Sequence, residues 1–92
     1  MLKELIDLFL DGAPKRLEQI RHSISDAPML TFHAHALKSM CLSMGAKRLV
    51  ELSQRLENLG RTRNVDGVSA LLPQLENTYT LTRAQLLALC DR

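Results

Sequence analysis

Two histidines stand one residue apart in the segment HAHALKSMCLSMGA, residues 33 to 46, and they are the side chains best suited to chemistry. Lys38 follows three residues after His35. An imidazole that faces water is largely neutral near pH 7, and its unprotonated nitrogen can act as a nucleophile or a metal ligand. A lysine one helical turn away can steady an anion that this imidazole acquires. The segment therefore raises three possibilities: core histidines, a metal site or a nucleophilic site.

The helical pattern around the two histidines separates their rings. Apolar residues recur here at spacings of 4, 3, 4 and 3, namely Leu30, Ala34, Leu37, Cys41 and Met44. At about 100° per residue, His33 lies about 60° from the centre of this stripe and His35 about 140° from it. A metal pair on one helix needs a spacing of three or four so that both rings converge. We therefore predict no metal site, a border position for His33 with a backbone or solvent partner, and a water-facing His35.

The outward face of the same helix carries small and apolar side chains beside His35. In helical projection Phe32, His35, Ser39 and Leu42 fall on one strip, with Ser43 at its edge. A lone monomer has no reason to expose Phe32 and Leu42. This pattern predicts an accessible nucleophile within a docking surface. Two alternatives stay open, namely a merely solvated His35 and a first helix that covers Phe32 and Leu42.

Five helical segments are predicted, and no segment has the pattern of a strand. They cover residues 2–10, 14–25, 28–44, 46–59 and 68–89. The first ends at Asp11-Gly12, the second begins at Pro14, the third lies between Asp26 and Gly45, and the fourth stops at Gly60. The fifth continues through Pro73, with a kink expected near residues 69–72. Short connections force antiparallel neighbours, so the last four segments predict an all-α, up-down four-helix bundle. The first, shorter helix would cap one end of it.

Composition limits the function classes. The 92 residues make a single domain (1–92), and with only three aromatic residues its core must be leucine and methionine. A net charge of +2 with no aromatic residues among the cations argues against nucleic acid. Cys41 and Cys90 lack metal or redox spacing and are expected to be reduced core residues. No apolar stretch is long enough to span a bilayer, and no signal-peptide pattern is present, so we expect a soluble domain without direct membrane contact.

Several stretches of the chain resemble the histidine-containing phosphotransfer (HPt) domain. The motif consists of His35-Ala36-Leu37-Lys38, a small residue at Ser39, and Gly45-Ala46 ten and eleven residues after the histidine. RLVELSQRLENLGR, residues 48 to 61, is similar to the next helix of that family, and FLDGAPKRLEQI, residues 9 to 20, to its opening helix. The resemblance covers about residues 9 to 90.

The resemblance implies a role for each matching residue. His35 would be phosphorylated, and Lys38 would lie beside the phosphoryl group. Glu57 matches a polar position on the facing helix, often glutamine, that lies near the imidazole, although a plain ion pair with Arg61 would also explain it. Arg61 matches a basic position near the same surface. Ser39 departs from the glycine that usually follows the lysine, which puts partner choice or rate in question more than function.

The resulting hypothesis is a phosphorelay intermediate of a two-component system. It would carry a phosphoryl group on His35 between the aspartates of response-regulator receiver domains, as a carrier without kinase activity of its own. We expect it to bind no cofactor, since the receiver would supply Mg²⁺ and the catalytic aspartate. We also expect a cytoplasmic monomer that is part of, or works beside, a hybrid sensor kinase. The alternative is an HPt-like docking module that is never phosphorylated; a metal-dependent enzyme is a distant third.

Overall fold

Residues 2–90 form four helices in an up-and-down arrangement. The computed structural model describes residues 2–90, with α1 at Leu2–His22, α2 at Ala27–Met44, α3 at Lys47–Arg61 and α4 at Val65–Cys90. Each helix packs against the next along the chain, and α1 also packs against α4, which closes the ring of neighbours. No strand occurs among these residues. The predicted all-α four-helix bundle is therefore confirmed.

The first helix differs from the prediction, because α1 is continuous through Asp11, Gly12 and Pro14. The separate N-terminal helix that would cap one end of the bundle was a wrong prediction. The buried residues of α1 recur at spacings of 3, 4, 4 and 3 along its whole length: Ile6, Phe9, Ala13, Leu17 and Ile20. An interior proline removes one backbone hydrogen bond and disfavours a helix by about 3 kcal/mol or more. Burial of one unbroken stripe against α2 and α4 outweighs that cost.

The ends of α2 follow the predicted signals. The Asp26 side chain caps the first turn by accepting a hydrogen bond from the Met29 backbone N–H, at 3.3 Å. Gly45 ends the helix in the left-handed conformation, with φ of 70°, and its N–H donates to the Leu42 carbonyl. A residue with a Cβ atom adopts this conformation only with strain, so glycine suits the position. These two caps fix where α2 begins and ends.

The sequence had predicted that Gly60 stops α3, and this prediction was wrong. The helix continues through it to Arg61, and Thr62 is the C-cap. Gly60 is buried against α2, where an added Cβ atom would lie 2.5 Å from Thr31 Oγ1. The missing side chain therefore allows α2 and α3 to approach closely. Glu57, which lies one turn before Gly60 on α3, contacts His35 on α2.

The core is almost entirely aliphatic and is shared by all four helices. Its largest fully buried side chains include Ile6, Ile20, Leu30, Leu37, Leu49, Leu52, Leu56, Leu75 and Val68. As predicted, α4 is one helix that runs through Pro73. No helix within residues 2–90 combines the length and apolar character needed to cross a membrane.

Candidate active site

His33 is a buried histidine that joins α2 to α1. Its side chain is almost wholly covered, and its Nδ1 lies 2.8 Å from Nη1 of Arg16. A guanidinium can only donate, so Nδ1 of His33 accepts this hydrogen bond. The Phe32 ring packs edge-on against the imidazole, with 5.4 Å between the ring centroids. The predicted border position is confirmed, but the partner is an arginine side chain instead of the expected backbone or solvent group.

His35 lies on the opposite side of α2 and is exposed, as predicted. Its side chain is 60% accessible to solvent, and its Nδ1 lies 3.2 Å from Oε1 of Glu57 on α3. An ionised carboxylate can only accept a hydrogen bond, so Nδ1 carries the ring proton. Nε2 of the neutral ring then holds the available lone pair. The contact with Glu57 therefore selects which nitrogen can react.

Glu57 is a buried carboxylate surrounded by hydrogen-bond donors. Only 2% of its side chain is exposed, and its Oε1 accepts from His35 and, at 3.1 Å, from Nζ of Lys38. Its Oε2 accepts from Arg61, which forms the ion pair expected four residues along α3. Burial raises the pKa of Glu57, but hydrogen bonds from Lys38 and His35 and the charges of Lys38 and Arg61 together bring that pKa below its ordinary value. Glu57 is therefore an anion at neutral pH.

Lys38 is held in place between two acceptors on α3. Its Nζ lies 2.9 Å from Oε1 of Gln54 as well as 3.1 Å from Glu57, and its side chain is only 18% exposed. It is not a freely solvated lysine. Gln54 was not predicted as a site residue, although it precedes Glu57 by three positions and so shares its face of α3. Its Nε2 donates in turn to Oδ1 of Asn58, at 3.0 Å.

The comparisons with known proteins identify the family of the chain. The family model described as Hpt domain matches residues 4–85 of the chain. The chain belongs to the Hpt domain family. No curated protein and no solved structure gives a match. The family assignment supports a histidine phosphotransfer role in two-component signalling.

The outward strip of α2 in this Hpt domain is open to solvent. Phe32 and Leu42 are 61% and 59% exposed, so α1 does not cover them. The hydroxyl of Ser39 donates to the His35 carbonyl at 3.2 Å, and that of Ser43 donates to the Ser39 carbonyl at the same distance. Both hydroxyls are thus turned toward the backbone of their own helix. No long side chain of this strip therefore projects beside His35 at Ser39 and Ser43, which leaves room for another molecule to approach the ring.

The two histidines of α2 contact different helices, His33 contacting α1 and His35 contacting α3. Between residues 2 and 90, no three His, Cys, Asp or Glu side chains lie close enough together to hold a metal ion.

Cys41 is a free thiol in the core, where burial raises its pKa to about 11, while Cys90 is a half-buried free thiol. A buried thiol with a raised pKa is a poor nucleophile.

Proposed function

We propose that this Hpt domain is a phosphorelay intermediate that accepts a phosphoryl group on His35 from one receiver domain and passes it to another. The observation that carries the proposal is the hydrogen bond from Nδ1 of the exposed His35 to the buried carboxylate of Glu57. It combines access for a partner with a fixed tautomer of the nucleophile. His33 offers no such access, because its ring is buried.

The transfer begins with the lone pair of His35 Nε2. This nitrogen attacks the phosphorus of an aspartyl phosphate on the receiver, and an N–P bond forms. The bond between phosphorus and the aspartate oxygen breaks, and its electron pair stays with the leaving carboxylate. The proton on Nδ1 is not transferred, so the phosphorylated ring becomes a cation. Transfer to a second receiver is the reverse of this step, with the aspartate of that receiver as nucleophile.

The surrounding charges suit both states of His35. Glu57 is an anion beside Nδ1, so it stabilises the ring when the ring becomes positive. Lys38 binds the same Glu57 oxygen as His35 does, and its ammonium would stabilise the oxygens of a phosphoryl group on the ring. Phosphoryl transfer needs mainly positioning and charge stabilisation, which these residues supply.

The proposed receiver contact is the outward strip of α2 with Phe32, Ser39, Leu42 and Ser43, bordered by Arg61. Phe32 and Leu42 provide exposed apolar area, and the serines next to His35 are short. The receiver would provide Mg²⁺ and the reacting aspartate, so this domain needs neither. It would act as a two-way carrier without kinase activity.

The test is to incubate the domain with receivers that carry radiolabelled phosphate on their aspartate. Label should move to the domain in a form that is labile to acid and stable to alkali, as expected for phosphohistidine. His35→Gln should remove all labelling and leave the helical circular dichroism unchanged. His22→Gln is the matched control, since His22 is also exposed but lies on α1. A domain that binds phosphorylated receivers tightly without becoming labelled would be a docking module, contrary to the proposal.

A further inference from the structure

Gln54 is the one neutral acceptor that the structure gives to the Lys38 ammonium. Its Oε1 lies 2.9 Å from Lys38 Nζ, a slightly shorter distance than the 3.1 Å to Glu57 Oε1. Gln54 itself is half-buried and lies one helical turn before Glu57 on α3. We propose that Gln54 is a positioning residue for phosphoryl transfer, which holds the Lys38 ammonium beside His35. This inference rests on the proposed function of His35.

The neutral charge of Gln54 is what suits it to this task. A phosphoryl group on His35 must compete with Glu57 for the positive charge of Lys38. An amide oxygen directs the ammonium by a hydrogen bond but adds no negative charge to that competition. The ammonium has three N–H donors, of which Gln54 and Glu57 accept two. The third N–H is left to donate to a phosphoryl oxygen while the other two keep the ammonium in place.

Asn58 fixes the direction of the Gln54 amide. Gln54 Nε2 donates to Asn58 Oδ1 at 3.0 Å, four residues along the same helix. This bond turns the carbonyl end of the amide toward Lys38 and its NH₂ end away from the cation. The reverse orientation would place two N–H donors against an ammonium that also only donates. A chain of hydrogen bonds thus runs along α3 from Asn58 to Gln54 and ends on α2 at Lys38, beside the reactive ring.

Two substitutions separate the contributions of the amide. Gln54→Met keeps the length of the side chain but removes the acceptor, and it should slow transfer from a labelled receiver about two- to tenfold, as expected for the loss of one hydrogen bond. Gln54→Glu keeps the shape but adds a charge that competes with the phosphoryl group for Lys38. It should slow transfer further and shorten the lifetime of phosphohistidine. Gln85→Glu is the matched control, because Gln85 is an exposed glutamine on α4, and it should leave both values unchanged.

The decisive measurement is a double-mutant cycle with Lys38→Ala, which should itself slow transfer. If Gln54 acts through Lys38, neither Gln54 variant should slow transfer further once Lys38 is absent. A merely structural role would lower the thermal midpoint in both backgrounds and slow transfer equally in both, and that result would overturn the inference. Wild-type rates for both Gln54 variants would also overturn it. Failure of the proposed function is a separate outcome, because the wild-type domain would then not be labelled at all.

Discussion

On the inner side of α2, His33 is buried, packs against the Phe32 ring and forms a hydrogen bond with Arg16. Two residues later, His35 exposes 60% of its side chain and forms a hydrogen bond with Glu57. The helix turns by about 200° between them, so they belong to different environments although they are near neighbours in sequence. Both rings use Nδ1 for a hydrogen bond, but with opposite roles. His33 Nδ1 accepts from a cation, while His35 Nδ1 donates to an anion.

The difference shows how one residue type serves two purposes in the same helix. At His33 the ring is buried and its partner, Arg16, is half-buried, so the pair joins α1 to α2. At His35 the partner is buried and the ring is exposed, so a fixed carboxylate orients a side chain that another protein can reach. Polar groups in the interior that orient an accessible group are the usual way to preorganise a reactive site.

The largest effect on phosphotransfer is expected when the two histidines of α2 are substituted one at a time. His35→Gln should abolish labelling by a phosphorylated receiver because the nucleophilic nitrogen is lost. His33→Gln should keep labelling, but it should lower the free energy of unfolding by about 1–3 kcal/mol because the Arg16 contact is disturbed. Urea unfolding and phosphotransfer measured on the same samples test both statements. If His33→Gln also lost all labelling while remaining folded, the two histidines would not have the separate roles that the comparison assigns to them.

The second largest effect is expected at Ser39, one turn from His35 on the outward face. Ser39→Leu should block transfer because a bulky side chain prevents the receiver aspartate from coming within bonding distance of the imidazole. The fold should survive, since Ser39 is exposed. Ser39→Gly, which restores the residue usual in the family, should transfer at the wild-type rate or faster. Rapid-quench measurements of labelled domain separate the two variants, and unhindered transfer to Ser39→Leu would place the receiver contact elsewhere.

Much of this fold was predictable because local signals and packing agree. The Asp26 and Gly45 caps bound α2, and the spacing of its apolar residues correctly placed His35 outside and His33 at the core border. Local signals were misleading where packing overrides them. Pro14 and Pro73 are both exposed residues in the interior of helices whose buried stripes continue past them, yet only Pro73 was predicted to lie in a helix interior. Gly60 marked a close approach of two helices instead of a helix end.

The site was predictable in part, and the remainder depends on how two helices are placed. The pattern of α2 pointed to His35 and to Lys38 one turn away, while the roles of Glu57 and Arg61 came from the family resemblance. The Gln54 contact with Lys38 and the Arg16 contact with His33 each join two helices. Their formation depends on the relative rotation and height of those helices, which the period of a single helix does not determine.

A smaller effect, on affinity and not on chemistry, is expected at Leu42. Its side chain is 59% exposed, and burial against a receiver would contribute about 1–2 kcal/mol. Leu42→Asp loses this area and places a charge in the contact, so it should weaken receiver binding about five- to thirtyfold. Calorimetric titration with a receiver measures the change. Leu81→Asp is the matched control, because Leu81 is 67% exposed on α4, and equal weakening by both variants would contradict a contact centred on α2.

The last effect is on stability, because Glu57→Gln should change how stability depends on pH. Glutamine can still accept the hydrogen bond from Nδ1 of His35, so labelling should persist, but at a lower rate because the negative charge beside the ring is lost. Glu57 has a lowered pKa in the folded state because the donors Lys38 and His35 and the charge of Arg61 outweigh the effect of its burial. Between this lowered pKa and the ordinary pKa of the unfolded chain, only the unfolded state binds the proton. The folded state therefore gains stability as the pH rises through that interval.

Stability that Glu57 provides should thus be complete above the ordinary carboxyl pKa and should be lost as the pH falls through its lower folded value. Urea unfolding of the wild type and of Glu57→Gln across the acid range measures this, and the variant should show the shallower decline. Glu51→Gln is the control, since Glu51 pairs with Arg48 on the same helix but is 65% exposed, where an ion pair contributes little. Equal declines in wild type and Glu57→Gln would mean that the carboxylate beneath His35 gains no more from its partners than an exposed one does.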